Sequence, residues 1–122
     1  MAPILMYPQG MVICLLEIVP LSDKREAVFE IFRSVIDFTQ GRHGCKGCAC
    51  YEKHNDKRSV LYVEQWESQE ELNRHIQSSI YSRIFSAMEL ASEAPEISFC
   101  EVSKTMGMDL VEALRSKGER TA

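Results

Sequence analysis

Apolar residues run almost unbroken from Met11 to Val19 (MVICLLEIV), between Gly10 and Pro20. That length and those flanks predict a buried strand rather than a helix. The period then changes. Ala27, Val28, Ile31, Phe32, Val35 and Ile36 recur at helical spacing, so an amphipathic helix is expected over roughly 22–39. Ser22 or Asp23 is its expected N-cap, and Gly41 and Gly44 mark the turn beyond it. Residues 47–53 (GCACYEK) and 59–66 (SVLYVEQW) flank HNDK and read as two strands of a hairpin. Ser68 with Glu71 forms a capping box that opens a second helix through Leu72, His75 and Ile76. Ser78 and Ser79 are expected to bend it before a further helical piece carrying Ile80, Ile84, Met88 and Ala91. Residues 96–103 (EISFCEVS) alternate as a last strand, and Asp109 caps a short tail helix with Leu110, Val111 and Leu114.

This order, with a right-handed crossover, predicts an α+β ferredoxin-like βαββαβ sandwich: a four-stranded antiparallel sheet in order 4-1-3-2, helices on one face, plus a C-terminal helix. Residues 1–10 form an N-terminal extension, 11–103 the domain and 104–122 the tail. Strand alternation assigns Val12, Cys14, Leu16 and Ile18, with Leu61, Val63, Cys100 and Val102, to a wholly apolar, helix-covered face. The other face collects Ile13, Leu15, Cys48, Cys50, Tyr62, Trp66, Ile97 and Phe99, with one carboxylate per strand from Glu17, Glu52, Glu64 and Glu101. Such a face is too apolar for open water, so a second copy is expected to cover it, giving a homodimer built as a dimeric α+β barrel. The apolar stripe of the tail predicts that it docks on its own or the partner subunit.

Length and charge narrow the function. A chain of 122 residues with 45% hydrophobic and 26% charged residues fits one domain. It leaves little room for an internal site enclosed by one subunit. Fourteen Lys and Arg against 18 Asp and Glu give a formal charge of -4, with the basic residues scattered, which argues against a nucleic-acid or anionic-membrane surface. The stretch from Met11 to Leu21 is interrupted by Glu17 and Pro20 and falls short of the roughly 20 residues that span a bilayer. MAPILMYPQG lacks the basic start of a secretory signal. With five cysteines read as thiols, the expected location is cytoplasmic.

The stretch LYVEQWESQEELNRHIQSSIY (Leu61–Tyr81) resembles the antibiotic biosynthesis monooxygenase family, or ABM domain. The resemblance rests on Tyr62 and Glu64 leading to Trp66 at a strand end, a Ser-initiated helix, and His75 nine residues after Trp66. HGCKGCACYEK resembles the family's turn into its second strand, and the likeness extends over roughly residues 11–103. It implies a cofactor-independent oxidation of a small aromatic or quinol-type compound by O2, which needs an apolar pocket, a base and exclusion of water. On that reading His75 and Trp66 are the catalytic candidates. Phe32, Tyr62, Glu64, Asn73, Tyr81 and Phe85 are the substrate-binding ones. Each has a plainer role open to it: His75 as a residue that orients its helix by a hydrogen bond, Trp66 as pocket wall, Glu64 as a paired charge. The haem-degrading relatives use an Asn on the first strand and a late His. Here the first strand has no Asn, and Phe85 stands in the position of that His, so haem degradation is disfavoured.

His43, Cys45, Cys48 and Cys50 (HxCxxCxC) raise an alternative, a thiol or metal sensor, although Cys48 and Cys50 sit on a strand rather than on a loop able to wrap an ion. Cys14 and Cys100 are expected to approach each other as buried thiols on neighbouring strands. A third reading keeps the scaffold but removes turnover: a non-catalytic small-ligand-binding or stress-associated dimer.

Overall fold

The computed structural model describes residues 10–118; the proposed N-terminal extension lies almost wholly outside them. The strands are β1 (Val12–Ile18), β2 (Cys45–Glu52), β3 (Val60–Trp66) and β4 (Glu96–Glu101). The helices are α1 (Arg25–Thr39), α2 (Gln69–Ile76), α3 (Ser82–Met88) and α4 (Met108–Gly118), with a 3-10 turn at Ser79–Tyr81. The sheet order is β2-β3-β1-β4 with every pairing antiparallel. This is the expected ferredoxin-like α+β fold.

Local chemistry explains most boundaries. Helix α1 starts at Arg25 rather than near Ser22, because Leu21–Lys24 closes a turn (Lys24 N–H to Leu21 O, 2.9 Å) and Lys24 becomes an N-cap without a side-chain bond. Ser68 caps α2 by accepting from the Glu71 N–H at 3.3 Å. The Glu71 carboxylate does not return to Ser68 but meets His43 and Arg74. The bend expected at Ser78–Ser79 is real: α2 ends at Ile76, and the 3-10 turn redirects the chain into α3. Gly44 takes φ +87°, and a Cβ there would lie 2.5 Å from Glu71 Cγ, so the turn into β2 requires glycine.

The core lies between the sheet and α1, α3 and the 3-10 turn, where Leu16, Ile18, Val28, Phe32, Val35 and Ile84 are buried. Phe32 stacks on Tyr62 with ring centroids 4.6 Å apart and planes 11° from parallel. Burying a side chain of that size contributes about 2–3 kcal/mol.

The strand faces differ from the sequence reading. Cys14 stands opposite Glu64 and Phe99, and Leu16 opposite Tyr62 and Ile97. Cys48, Cys50 and Glu52 share that side. The helix-side face therefore joins Val12, Cys14, Leu16 and Ile18 to Val60, Tyr62, Glu64 and Trp66, so β1 is inverted relative to the assigned phases of the other three strands. Both phases of β1 and of β3 are apolar enough to pass as core, and the antiparallel register that decides between them leaves no trace in hydrophobicity. Cys14 and Cys100 consequently lie on opposite faces, Cys14 buried and Cys100 exposed. A bulge between Cys45 and Gly47 brings Cys45 back onto the helix side.

The open face instead presents Ile13, Leu15, Ala49, Tyr51, Leu61 and Val63, with Glu17 and Gln65. Every residue of β4 is exposed. Helix α4 forms, but its Leu110, Val111 and Leu114 are 39%, 50% and 58% exposed, so among the described residues it does not dock on its own domain. Among the described residues no helix is long and apolar enough to cross a membrane.

Candidate active site

The helix side of β3 carries a carboxylate where a core side chain is expected. Glu64 is fully buried and three donors converge on it. The Tyr62 hydroxyl donates to Oε2 at 2.5 Å, the Trp66 indole N–H to Oε1 at 2.9 Å, and His75 Nε2 lies 2.9 Å from Oε2. Tyr62 and Trp66 reach it because residues two apart on a strand share a face. His75 arrives from α2, whose capped first turn and buried Leu72 fix the face that points inward.

Burial alone would push the Glu64 carboxyl up. The hydrogen bond and charge of His75, with the Tyr62 and Trp66 donors, outweigh that and hold it below the ordinary carboxylate value. An ionised Glu64 can only accept, so His75 Nε2 carries the proton of that bond. Its other nitrogen, Nδ1, is buried and has no hydrogen-bond partner among the described residues. The Tyr62 proton is committed to Glu64, so the Cys48 thiol, 3.3 Å away, donates to the Tyr62 oxygen. Burial pushes the Cys48 thiol up to about 12 and also raises the Tyr62 hydroxyl above its ordinary value.

Aromatic rings continue outward from this hub. Trp66 lies 4.8 Å from the His75 ring, Tyr81 meets His75 edge-on at 5.4 Å, and Phe85 meets Tyr81 edge-on at 5.6 Å. Tyr81 is buried, whereas Phe85 is 54% exposed. His75 is thus sealed by a two-ring layer that reaches solvent. A cavity of about 340 Å³ has Trp66, Glu71, Arg42 and Arg74 in its wall and does not include His75.

Of the residues singled out from sequence, His75, Trp66, Tyr62, Glu64 and Tyr81 come together, with Phe32 backing Tyr62 and Phe85 at the rim. Asn73 does not join them: it is exposed on the outer side of α2 and accepts from Gln69 Nε2 at 2.8 Å. Cys14, directly opposite Glu64 on β1, is a neighbour that sequence reasoning missed. Only the register could have revealed it. His43 is exposed and bonds Glu71 at 3.0 Å, away from the thiols. Burial raises Cys45, Cys48 and Cys50 above the usual thiol range. No group of three or more candidate metal ligands converges among the described residues.

The model of the antibiotic biosynthesis monooxygenase family matches residues 11–87. No curated protein matches the chain. Solved structures similar to it include a protein of Mycobacterium tuberculosis (TM-score 0.73, 19% identity, 80% of this chain and 100% of that one). A conserved protein of Methanosarcina mazei Go1 matches with TM-score 0.70 and 19% identity over 75% of this chain and 92% of that one. A Nitrosomonas europaea protein named for the same monooxygenase family matches with TM-score 0.71 and 16% identity over 84% and 100%. At these identities the structures establish the fold alone.

Proposed function

Because the chain belongs to the antibiotic biosynthesis monooxygenase family, we propose that it is a cofactor-independent monooxygenase that oxidises a small aromatic or quinol-type compound with O2. The observation that carries this reading is the Glu64–His75 pair, with His75 Nδ1 free of any partner among the described residues beneath Tyr81 and Phe85. In it Glu64 accepts the Nε2 proton, fixes the tautomer and stabilises the imidazolium that forms when Nδ1 takes a proton from the substrate. The resulting aromatic anion supplies the electrons to O2. For an anthrone-type substrate the ring methylene gives up both hydrogens and becomes a carbonyl. One atom of the O2 becomes the carbonyl oxygen, and the other leaves with the two hydrogens as water. Substrate reaches Nδ1 when the Tyr81–Phe85 layer moves, and the joint for that motion is the 3-10 turn between α2 and α3.

The same reading makes the protein a cytoplasmic homodimer. Ile13, Leu15, Leu61 and Val63 on the open sheet face support a second copy as its cover, and the exposed stripe of α4, undocked on the described part of its own domain, offers that copy a further contact. Five free cysteines support a reducing compartment. The complete burial of His75 favours a second reading, in which the hub is structural and the protein is a non-catalytic small-ligand-binding dimer.

Oxygen uptake with a panel of hydroquinones and anthrones separates the two. Catalysis predicts uptake that falls roughly 10²–10⁴-fold in His75→Ala, the usual worth of a general base. Absence of uptake with every member, or uptake unchanged in the variant, removes the enzymatic reading.

A further inference from the structure

A second site lies at the opposite end of β1, about 17 Å along the strand from Cys14 at a normal strand rise. It is a cavity of about 640 Å³, within the size range of small-molecule pockets. One wall is aliphatic, made by Val19, Pro20 and Leu21. That wall is rigidly built: Pro20 bridges to Ala91, the Leu21 N–H donates to Leu90 O at 2.8 Å, and the Ser92 N–H donates to Val19 O at 2.8 Å. The other wall carries Arg25, Lys57 and Arg58, and no carboxylate among the described residues lines the cavity.

The cations differ in how far their charge is satisfied. Arg58 pairs with Asp56 within the β2–β3 hairpin, and Arg25 Nη2 pairs with Glu52. The Arg25 guanidinium also lies over the Phe29 ring at 4.9 Å, which fixes its plane. Its Nη1 is shut off from solvent, and so from the open cavity, and meets no acceptor among the described residues; the side chain as a whole stays 30% exposed. Lys57 has no ion-pair partner among the described residues. Ser22 and Arg25 also bring the amino end of the 15-residue α1 to the cavity, and its N-cap residue, Lys24, offers no side-chain acceptor to the first-turn N–H groups.

From this juxtaposition of three cations and a rigid aliphatic wall, we infer that the cavity binds a small aliphatic carboxylate. The carboxylate meets Arg25, Lys57 and Arg58, and the chain lies on Val19, Pro20 and Leu21. Neither an anion alone nor a neutral chain satisfies both walls. The site is separate from Glu64 and His75 and does not depend on their role.

The test is titration of the full-length ¹⁵N-labelled protein with hexanoate, hexanamide and inorganic phosphate, following amide shifts. Hexanoate is expected to shift Leu21, Ser22 and Ser92 at least tenfold more tightly than hexanamide or phosphate. The Lys57→Gln/Arg58→Gln variant, altered only at exposed hairpin side chains, is expected to retain the wild-type spectrum elsewhere and to weaken hexanoate at least fivefold. Hexanamide or phosphate binding as tightly as hexanoate overturns the inference, as do hexanoate shifts confined to other residues or an unaltered affinity in the double variant.

Discussion

Glu64→Gln keeps the size of the buried side chain and removes its charge, so it isolates what the hub contributes. Two donors, the Tyr62 hydroxyl and His75 Nε2, converge on Oε2, and the Trp66 indole alone meets Oε1. The least damaging placement puts the amide oxygen at Oε2 and turns its amide nitrogen toward the Trp66 N–H. That leaves one donor facing another in a buried site, at about 1–3 kcal/mol. Two charge-assisted bonds also become neutral ones, which adds about 1 kcal/mol. The expected loss is therefore about 2–4 kcal/mol, read from urea unfolding at fixed protein concentration with an unchanged m-value. The pH dependence gives an independent check. The Glu64 pKa is lowered by folding, so its contribution is fully present above the unfolded value, about 4.5, and is lost as pH falls through the folded value. Wild type and variant should differ at pH 7 and converge in acid. A loss under about 0.5 kcal/mol at pH 7, or a difference that does not shrink in acid, refutes the account of the hub.

Three further outcomes follow from particular residues. Gly44→Ala places a side chain at φ +87° against Glu71 and should cost about 1–2 kcal/mol in the same unfolding assay; a neutral result contradicts the stated need for glycine. Cys14 and Cys48, both buried and raised to about 12, should resist a thiol-specific chromogenic reagent at pH 8 in the native protein and react on unfolding; rapid native labelling at either would revive a thiol-based function. Val63→Arg puts a charge on the open sheet face and should convert a species of about twice 13.9 kDa into a monomer by light scattering; an unchanged mass contradicts the proposed interface.

Element identity and sheet order were legible because hydrophobic period, the Ser68 cap and the glycine-rich turn at Gly41–Gly44 each mark a local event. The phase of the strands was not. Val12, Cys14, Leu16 and Ile18 look like core beside either phase of β3, and a glutamate on the buried face runs against the expectation that carboxylates face outward. Glu64 is tolerated there because Tyr62, Trp66 and His75 satisfy it together, a cooperation among residues up to 13 positions apart that periodicity does not encode. Family resemblance supplied Tyr62, Glu64, Trp66 and His75 as candidates, whereas their assembly around one carboxylate came from the structure. Asn73 was misplaced for a simpler reason: one step around α2 from a buried position is a turn of about 100°, enough to reach solvent.

The central claim is that Glu64 holds His75 with Nε2 protonated and Nδ1 free to accept a proton. Two-bond ¹H–¹⁵N correlation spectra of the His75 ring at pH 8 measure this directly. A protonated Nε2 and an unprotonated Nδ1 are expected, a pattern kept in Glu64→Gln, whose amide oxygen still accepts from Nε2, and lost in Glu64→Leu, which leaves Nε2 without an acceptor. A proton on Nδ1 in the wild type, or a ring whose tautomer is indifferent to Glu64→Leu, would contradict it.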